Sequence, residues 1–114
     1  ERLRQYASPS RLVLDVRNYI LHHLSDPIRT SEIADALFLS RSNLSTRFKE
    51  ESGENLSDFI LKEKIEEAKR LLRYTDKPIV AISSYLGFSS QSHFTHTFKK
   101  FSELSPAEYR KRNQ

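Results

Sequence analysis

Residues 90–99 read Ser-Gln-Ser-His-Phe-Thr-His-Thr-Phe-Lys, and residues 40–49 read Ser-Arg-Ser-Asn-Leu-Ser-Thr-Arg-Phe-Lys. The two stretches lie 50 positions apart, and their apolar, hydroxyl and final lysine positions coincide. A short apolar-patterned segment precedes each stretch, at residues 33–37 and 82–86, with one additional residue in the second turn. A short helix, a tight turn and a longer helix form a helix-turn-helix. The repeat therefore predicts two helix-turn-helix units in one chain.

The rest of the chain predicts further helices and no strand. Gly and Pro are rare, and strong helix formers are plentiful. Ser8 and Pro9 indicate the start of a helix that ends at Asp26 and Pro27, with Leu12, Val16, Ile20 and Leu24 on its buried face. Two short helices are predicted at about residues 31–37 and 79–86, and a long one at 57–73. Ser40 is predicted to cap a helix that ends at 52–53, and Ser89 one that ends near 101. The capping box of Ser105 and Glu108 opens a last helix. We therefore expect an all-α fold of seven helices, in which a long linker helix joins two helix-turn-helix subdomains.

Composition limits the classes of protein that this chain can represent. Its 114 residues, 37% of them hydrophobic and 30% charged, fit one globular domain or two small helical subdomains. The lack of cysteine excludes disulfides and thiolate chemistry, and no apolar run approaches the roughly 18 residues that span a bilayer. A net charge of +4 is modest, so charge alone adds little to the case for a polyanionic partner. Because the chain starts at Glu1 and has no methionine, we expect residues 1–7 to be a linker from an upstream region.

The two repeated helices are predicted to expose matching polar faces. On a helical wheel centred on Leu44 or Phe94, the hydroxyl residues and the lysine lie outward, which suits a helix in a DNA major groove. Arg41 at one helix start can bind guanine, and Gln91 at the other can bind adenine. The residues expected to contact bases are Arg41, Ser42, Ser45, Thr46, Gln91, Ser92, Thr95 and His96. The residues expected to contact phosphates are Ser40, Lys49, Ser90, Lys99, Lys100 and Arg110.

The second unit resembles the AraC/XylS family of bacterial transcription regulators. It carries Gly87-Phe88, a polar stretch, Phe98-Lys99-Lys100, then Ser105-Pro106 and Tyr109-Arg110, which is similar to the family signature. The first unit adds similar motifs, and the match covers about residues 8–110. The sequence departs from the family pattern at Glu103 in place of Gly, at Ser83 in place of a small apolar residue, at Lys64 in place of a frequent Arg, and at the small or neutral residues Ser42, Thr46 and His96.

The resemblance implies an AraC-type DNA-binding domain over residues 8–114. Its parts would be a first subdomain at 8–56, the linker helix at 57–74 and a second subdomain at 75–114. The recognition helices, about 41–52 and 90–101, would enter successive major-groove segments on one face of double-stranded promoter DNA, about 34 Å apart. The resemblance also implies an activator that touches RNA polymerase, a monomeric isolated domain with any dimerisation through a separate sensing domain, and a cytoplasmic, nucleoid-associated protein.

Two other classes of function compete with DNA binding. His93 and His96 have the spacing of a helical metal site, but they point in different directions and no Asp, Glu or Cys in that helix completes a ligand set. No Gly-rich phosphate loop or nucleophile–base pair is present, so we expect no enzyme, no metal and no cofactor. A protein-interaction module would use Phe59, Ile60 or Tyr74 as a docking patch. Such a module would expose large apolar residues where the repeated helices have small polar ones.

Overall fold

A computed structural model describes residues 10–114, and within this part of the chain every regular element is a helix. The seven helices, labelled in chain order, are α1 (Arg11–His22), α2 (Thr30–Ala36), α3 (Arg41–Ser52), α4 (Leu56–Tyr74), α5 (Ile79–Tyr85), α6 (Gln91–Ser102) and α7 (Pro106–Arg112). The all-α prediction and the number of described helices are confirmed. None of these helices is long and apolar enough to cross a membrane.

The 19-residue helix α4 is the central element of the fold. Helices α2 and α3 pack on each other as the first helix-turn-helix, and α5 and α6 pack on each other as the second. The linker helix α4 contacts α1 and α3 on the side of the first unit and α5, α6 and α7 on the side of the second. Its apolar face is buried along its whole length, from Leu56 to Leu72, so both units share one continuous core.

Aromatic side chains fill the core of each unit. In the first unit Phe48 meets Phe59 edge to face, with ring centroids 5.0 Å apart. In the second unit Phe98 lies between Phe94, at 5.8 Å, and Tyr109, at 5.5 Å. These edge-to-face and tilted arrangements are the ones that aromatic rings favour. The buried phenylalanines of α3 and α6 therefore turn the polar faces of the same helices outward.

The two longer helices of the repeat begin and end in the same way. The hydroxyl of Ser40 accepts a hydrogen bond from the backbone N–H of Asn43, and that of Ser90 accepts one from His93. Gly53 ends α3 in the left-handed conformation, with φ +79°. Glu103 ends α6 in that conformation too, with φ +66°, and its N–H donates to the carbonyl of Lys99. The second unit therefore keeps the left-handed cap without glycine.

Several predicted helix boundaries are wrong by a few residues. Helix α1 is capped by Ser10, whose hydroxyl accepts from the N–H of Val13, while Ser8, Pro9 and the predicted linker at 1–7 lie outside the described residues. It ends at His22 rather than at Asp26, because the imidazoles of His22 and His23 bond the last-turn carbonyls of α1. Leu24 is buried as predicted, but it lies in the turn after the helix.

The other boundary corrections concern capping residues. Ser90, not Ser89, caps α6, as the alignment of Ser90 with Ser40 already indicates. The linker helix begins at Leu56 and ends at Tyr74, one residue beyond each predicted limit. Asn55 sets its start, because its side-chain oxygen accepts hydrogen bonds from the first free N–H groups of the helix.

The predicted capping box at the start of α7 is confirmed and yields a pH-dependent contribution to stability. The hydroxyl of Ser105 accepts from the N–H of Glu108, and the N–H of Ser105 donates to the Glu108 carboxylate over 2.8 Å. This backbone hydrogen bond favours the charged carboxylate and lowers the pKa of Glu108 below its usual value. The ionised Glu108 therefore stabilises the folded protein at pH values above the usual carboxyl pKa, about 4.3. This stabilisation is lost as the pH falls through the lowered pKa of Glu108 in the folded protein.

We expect Glu108→Gln to remove this pH dependence without removing the cap. Glutamine keeps the acceptor oxygen for the N–H of Ser105 but carries no charge. Chemical denaturation of the two proteins at pH 7 and pH 3 should show the wild type more stable at pH 7, with the difference reduced or abolished at pH 3. Equal differences at both pH values would contradict the assignment.

Candidate nucleic-acid interface

The exposed face of α6 forms a shallow, open groove of about 570 Å³. The groove is lined by Gln91, Ser92, Thr95, His96 and Lys99. These residues include all four base-contacting residues predicted in the second unit. The buried Phe94 and Phe98 anchor the opposite side of the helix. The structure therefore brings the predicted residues of this unit together on one surface.

The first unit has a groove at the equivalent place. It is lined by Arg41, Ser45 and Lys49 from α3, by Thr30 at the start of α2, and by Asn55, Leu56 and Ser57 at the start of α4. Ser42 and Thr46 are exposed on α3 but lie beside this groove rather than in its lining. The predicted base-contacting residues of the first unit thus share one exposed side of α3.

The two grooves use residues at matching positions of the repeat. Arg41, Ser45 and Lys49 align with Gln91, Thr95 and Lys99, each pair 50 positions apart. Each groove therefore has a long polar side chain at the helix start, a hydroxyl one turn later and an ammonium group one turn further. This order of groups can bind base edges near the helix start and a phosphate near its end.

The predicted phosphate-contacting serines are free to donate a hydrogen bond. Ser40 and Ser90 are exposed, and each hydroxyl oxygen already accepts a backbone N–H of its own helix. The hydroxyl hydrogen remains available for an external acceptor, since the capping bond uses only a lone pair. Lys100 is exposed too, with its ammonium 5.6 Å from the ring of Phe101.

Arg110 is placed differently from the other predicted phosphate contacts. Its Nε donates to the carbonyl of Leu72 over 3.0 Å, and a terminal nitrogen donates to the carbonyl of Thr75 over 3.2 Å. The guanidinium thus satisfies carbonyls at the end of α4 and ties α7 to the linker helix. This side chain lies outside both grooves, and its phosphate contact stays a prediction.

The two histidines of α6 point in different directions, as the helical wheel predicts. The ring of His93 packs edge to face on Phe88, with centroids 5.3 Å apart, while His96 lines the groove. Within residues 10–114 no group of three potential ligands is arranged to hold a metal ion.

The alternative docking patch is wrong in two of its three residues. Phe59 and Ile60 belong to the core, with 4% and 7% of their surface exposed. Tyr74 is 69% exposed at the end of α4, beside the guanidinium of Arg73.

Sequence reasoning missed three polar residues of the first groove. Thr30, Asn55 and Ser57 come from the starts of two other helices and close the groove against α3. The available signal was the helix start at Asn55, since asparagine before an apolar helical stretch is a typical N-cap. Asn55 lines the first groove because α4 packs on α3, and this packing is not visible in the sequence.

Two helix-turn-helix units, each with polar and basic side chains along the exposed face of its second helix, are typical of DNA-binding domains of transcription regulators. A family model described as a helix-turn-helix domain matches residues 33–112. The chain is 41% identical over 98 residues to the xylose operon regulatory protein of Escherichia coli K12. The aligned residues cover 86% of this chain and 25% of that protein. The chain belongs to the AraC/XylS family of bacterial transcription regulators, so these residues form a regulatory rather than an enzymatic domain.

Solved structures of other proteins have the same fold. The C-terminal domain of AraT, a response regulator from Geobacillus stearothermophilus, superposes with a TM-score of 0.84 at 32% identity, covering 93% of this chain and 88% of that one. The xylose-binding transcription activator XylR superposes with a TM-score of 0.84 at 38% identity, covering 95% of this chain and 28% of that one. The chain thus spans about a quarter of the length of the curated relatives that it matches first.

Proposed function

We propose that this domain binds double-stranded promoter DNA sequence-specifically, with α3 and α6 in successive major-groove segments on one face of the duplex. The observation that carries this proposal is the pair of matching grooves, one on each unit. Two unrelated solvent-exposed faces have no reason to share residue types at fixed intervals.

The length of the linker helix fits this arrangement. Nineteen residues at 1.5 Å each give α4 a length of about 28 Å. Successive major-groove segments on one face lie about 34 Å apart. Since both units pack on this helix, we expect it to hold the recognition helices about one turn of DNA apart.

Each groove residue has a proposed role. Arg41 and Gln91 contact base edges at the two helix starts. Six small or neutral residues of the same two helices contact bases further along: Ser42, Ser45, Thr46, Ser92, Thr95 and His96. Ser40, Ser90, Lys49, Lys99 and Lys100 contact phosphates, which fixes the register of the helices on the duplex.

The wider role in transcription rests on the relatives. One solved relative is a xylose-binding transcription activator, and the chain covers 28% of it. We propose that this domain too serves an activator in the bacterial cytoplasm, in contact with RNA polymerase. The isolated domain would bind as a monomer, and any dimerisation would occur through an upstream sensing domain. Its parts would be subdomains at residues 8–56 and 75–114 and a linker helix at 57–74.

Selection from a random duplex pool tests the DNA-binding proposal. We expect the domain to enrich two short sequence blocks about one helical turn, roughly 10 base pairs, apart. Affinity for the enriched duplex should fall steeply as salt rises, because lysines that contact phosphates release counterions. One enriched block would contradict sequence reading by both units. Weak binding at every salt concentration with no enrichment would overturn DNA binding.

A further inference from the structure

The ammonium group of Lys64 lies buried at the junction of the two units. Lys64 stands near the middle of α4 and is only 5% exposed. Its Nζ donates to the carbonyl of Asp26 over 2.9 Å and to that of Leu86 over 2.6 Å. Asp26 belongs to the turn after α1, and Leu86 caps the end of α5 in the second helix-turn-helix. One side chain therefore bonds the backbone of both units.

The backbones around this ammonium are tightly packed. Gly87 has φ +77°, and a Cβ there would meet the carbonyl oxygens of Ser25 and Asp26 at 3.0 and 3.1 Å and the Lys64 Nζ at 3.1 Å. The ring of Phe88 lies on the ammonium from another side, 5.9 Å from Nζ to the ring centroid. The turn after α1 thus touches the turn of the second unit directly, and Lys64 bridges them.

Burying the charged ammonium of Lys64 costs free energy, so this bridge adds little to the stability of the fold. Burial lowers the pKa of Lys64, and the charge of Asp26 opposes that effect only in part. Its hydrogen-bonding partners are backbone carbonyls rather than a carboxylate. Buried charges of this kind are weak evidence for stability, whereas they can restrict a structure to one arrangement. An apolar residue of similar length would fill the same space without orienting the two carbonyls.

We propose that Lys64 is a positioning residue that holds the two helix-turn-helix units in one relative orientation and so restricts the domain to one spacing of its two DNA blocks. This inference rests on the proposed two-block DNA binding. The two units each pack on α4, but the bridge joins them to each other across its midpoint. Without it, the two units are still joined through the core along α4, and we expect the second unit to take a wider range of orientations relative to the first while each recognition helix stays intact.

A series of duplexes with the two enriched blocks at different separations tests this role. We expect the wild type to bind misspaced duplexes about 100-fold more weakly, because the second unit cannot reach its block. Lys64→Met should bind the series with nearly equal affinity, while its affinity for a duplex with one block equals that of the wild type. Lys64→Arg should restore the wild-type preference. Lys69→Met, which removes a half-buried lysine that pairs with Glu66 on the same helix, should keep that preference.

A distance measurement gives a readout that does not depend on DNA. The chain has no cysteine, so Asp35→Cys and Ser84→Cys, both at exposed positions, would attach one spin label to each unit. We expect a single narrow distance distribution for the wild-type background and a broad one for Lys64→Met. Gly87→Ala, whose Cβ would press on the Lys64 ammonium and on the carbonyls of Ser25 and Asp26, provides a second variant should Lys64→Met fail to fold.

The outcomes separate the two proposals. An unchanged spacing preference and an unchanged distance distribution in a folded Lys64→Met or Gly87→Ala protein would overturn the positioning role alone. Failure of the wild type to select two blocks would overturn two-block binding, and the positioning role with it.

Discussion

Replacing Phe98 by alanine is expected to lower the free energy of unfolding by about 3–5 kcal/mol, the usual cost of removing a fully buried aromatic ring. Phe98 has no exposed surface and lies between Phe94 of its own helix and Tyr109 of α7. Small domains are stable by only about 5–15 kcal/mol, so this one change removes a large part of the total. Equilibrium denaturation with urea, followed by helical circular dichroism, measures the loss.

Phe38→Ala is the matched control for this prediction. Phe38 lies in the turn of the first unit with 94% of its surface exposed, so the same atoms are removed without opening a cavity. We expect its stability to stay within about 0.5 kcal/mol of the wild type. Equal losses from the two variants would show that the ring of Phe98 does not pack as described.

The sequence predicts most of this fold because the repeat appears both in the spacing of the buried residues and in the helix caps. The 50-residue offset aligns the helix caps Ser40 and Ser90 and the core residues Phe48 and Phe98, so periodicity and capping indicate the same helices. Local signals were ambiguous where two candidates stood together. Ser89 and Ser90 are equally good caps by residue type, and the repeat, not the propensity, distinguishes them.

Contacts between distant segments are what sequence reasoning could not predict. The basic stretch near the chain end predicts a phosphate contact for Arg110, but it gives no sign that the guanidinium also bonds carbonyls at the end of α4. Lys64 stands among alternating charged residues of α4, and its burial follows only from the approach of the turns at Asp26 and Gly87. A lysine or arginine has the same local pattern whether it faces solvent or a carbonyl from elsewhere in the chain.

Thr95→Glu is expected to weaken binding to the enriched duplex by about 100- to 1,000-fold, or roughly 3–4 kcal/mol. Thr95 is half-buried in the second groove, between Gln91 and Lys99, each one helical turn away. A carboxylate there would face the phosphates and bases of the duplex. It would also pair with Lys99 four residues later, which favours the helix while it neutralises the proposed phosphate contact. Fluorescence anisotropy titration of a labelled duplex measures the change.

Thr95→Gln separates charge from size, since glutamine has nearly the shape of glutamate without its charge. We expect this variant to lose far less affinity than Thr95→Glu, and Asn18→Glu, an exposed charge change on α1, to lose little. Ser45→Glu should reproduce the large loss in the first groove, where Lys49 stands four residues later. Each glutamate should abolish selectivity for one block and spare the other, because each recognition helix reads its own segment. If Thr95→Glu bound as tightly as Thr95→Gln, the groove of α6 would not face DNA.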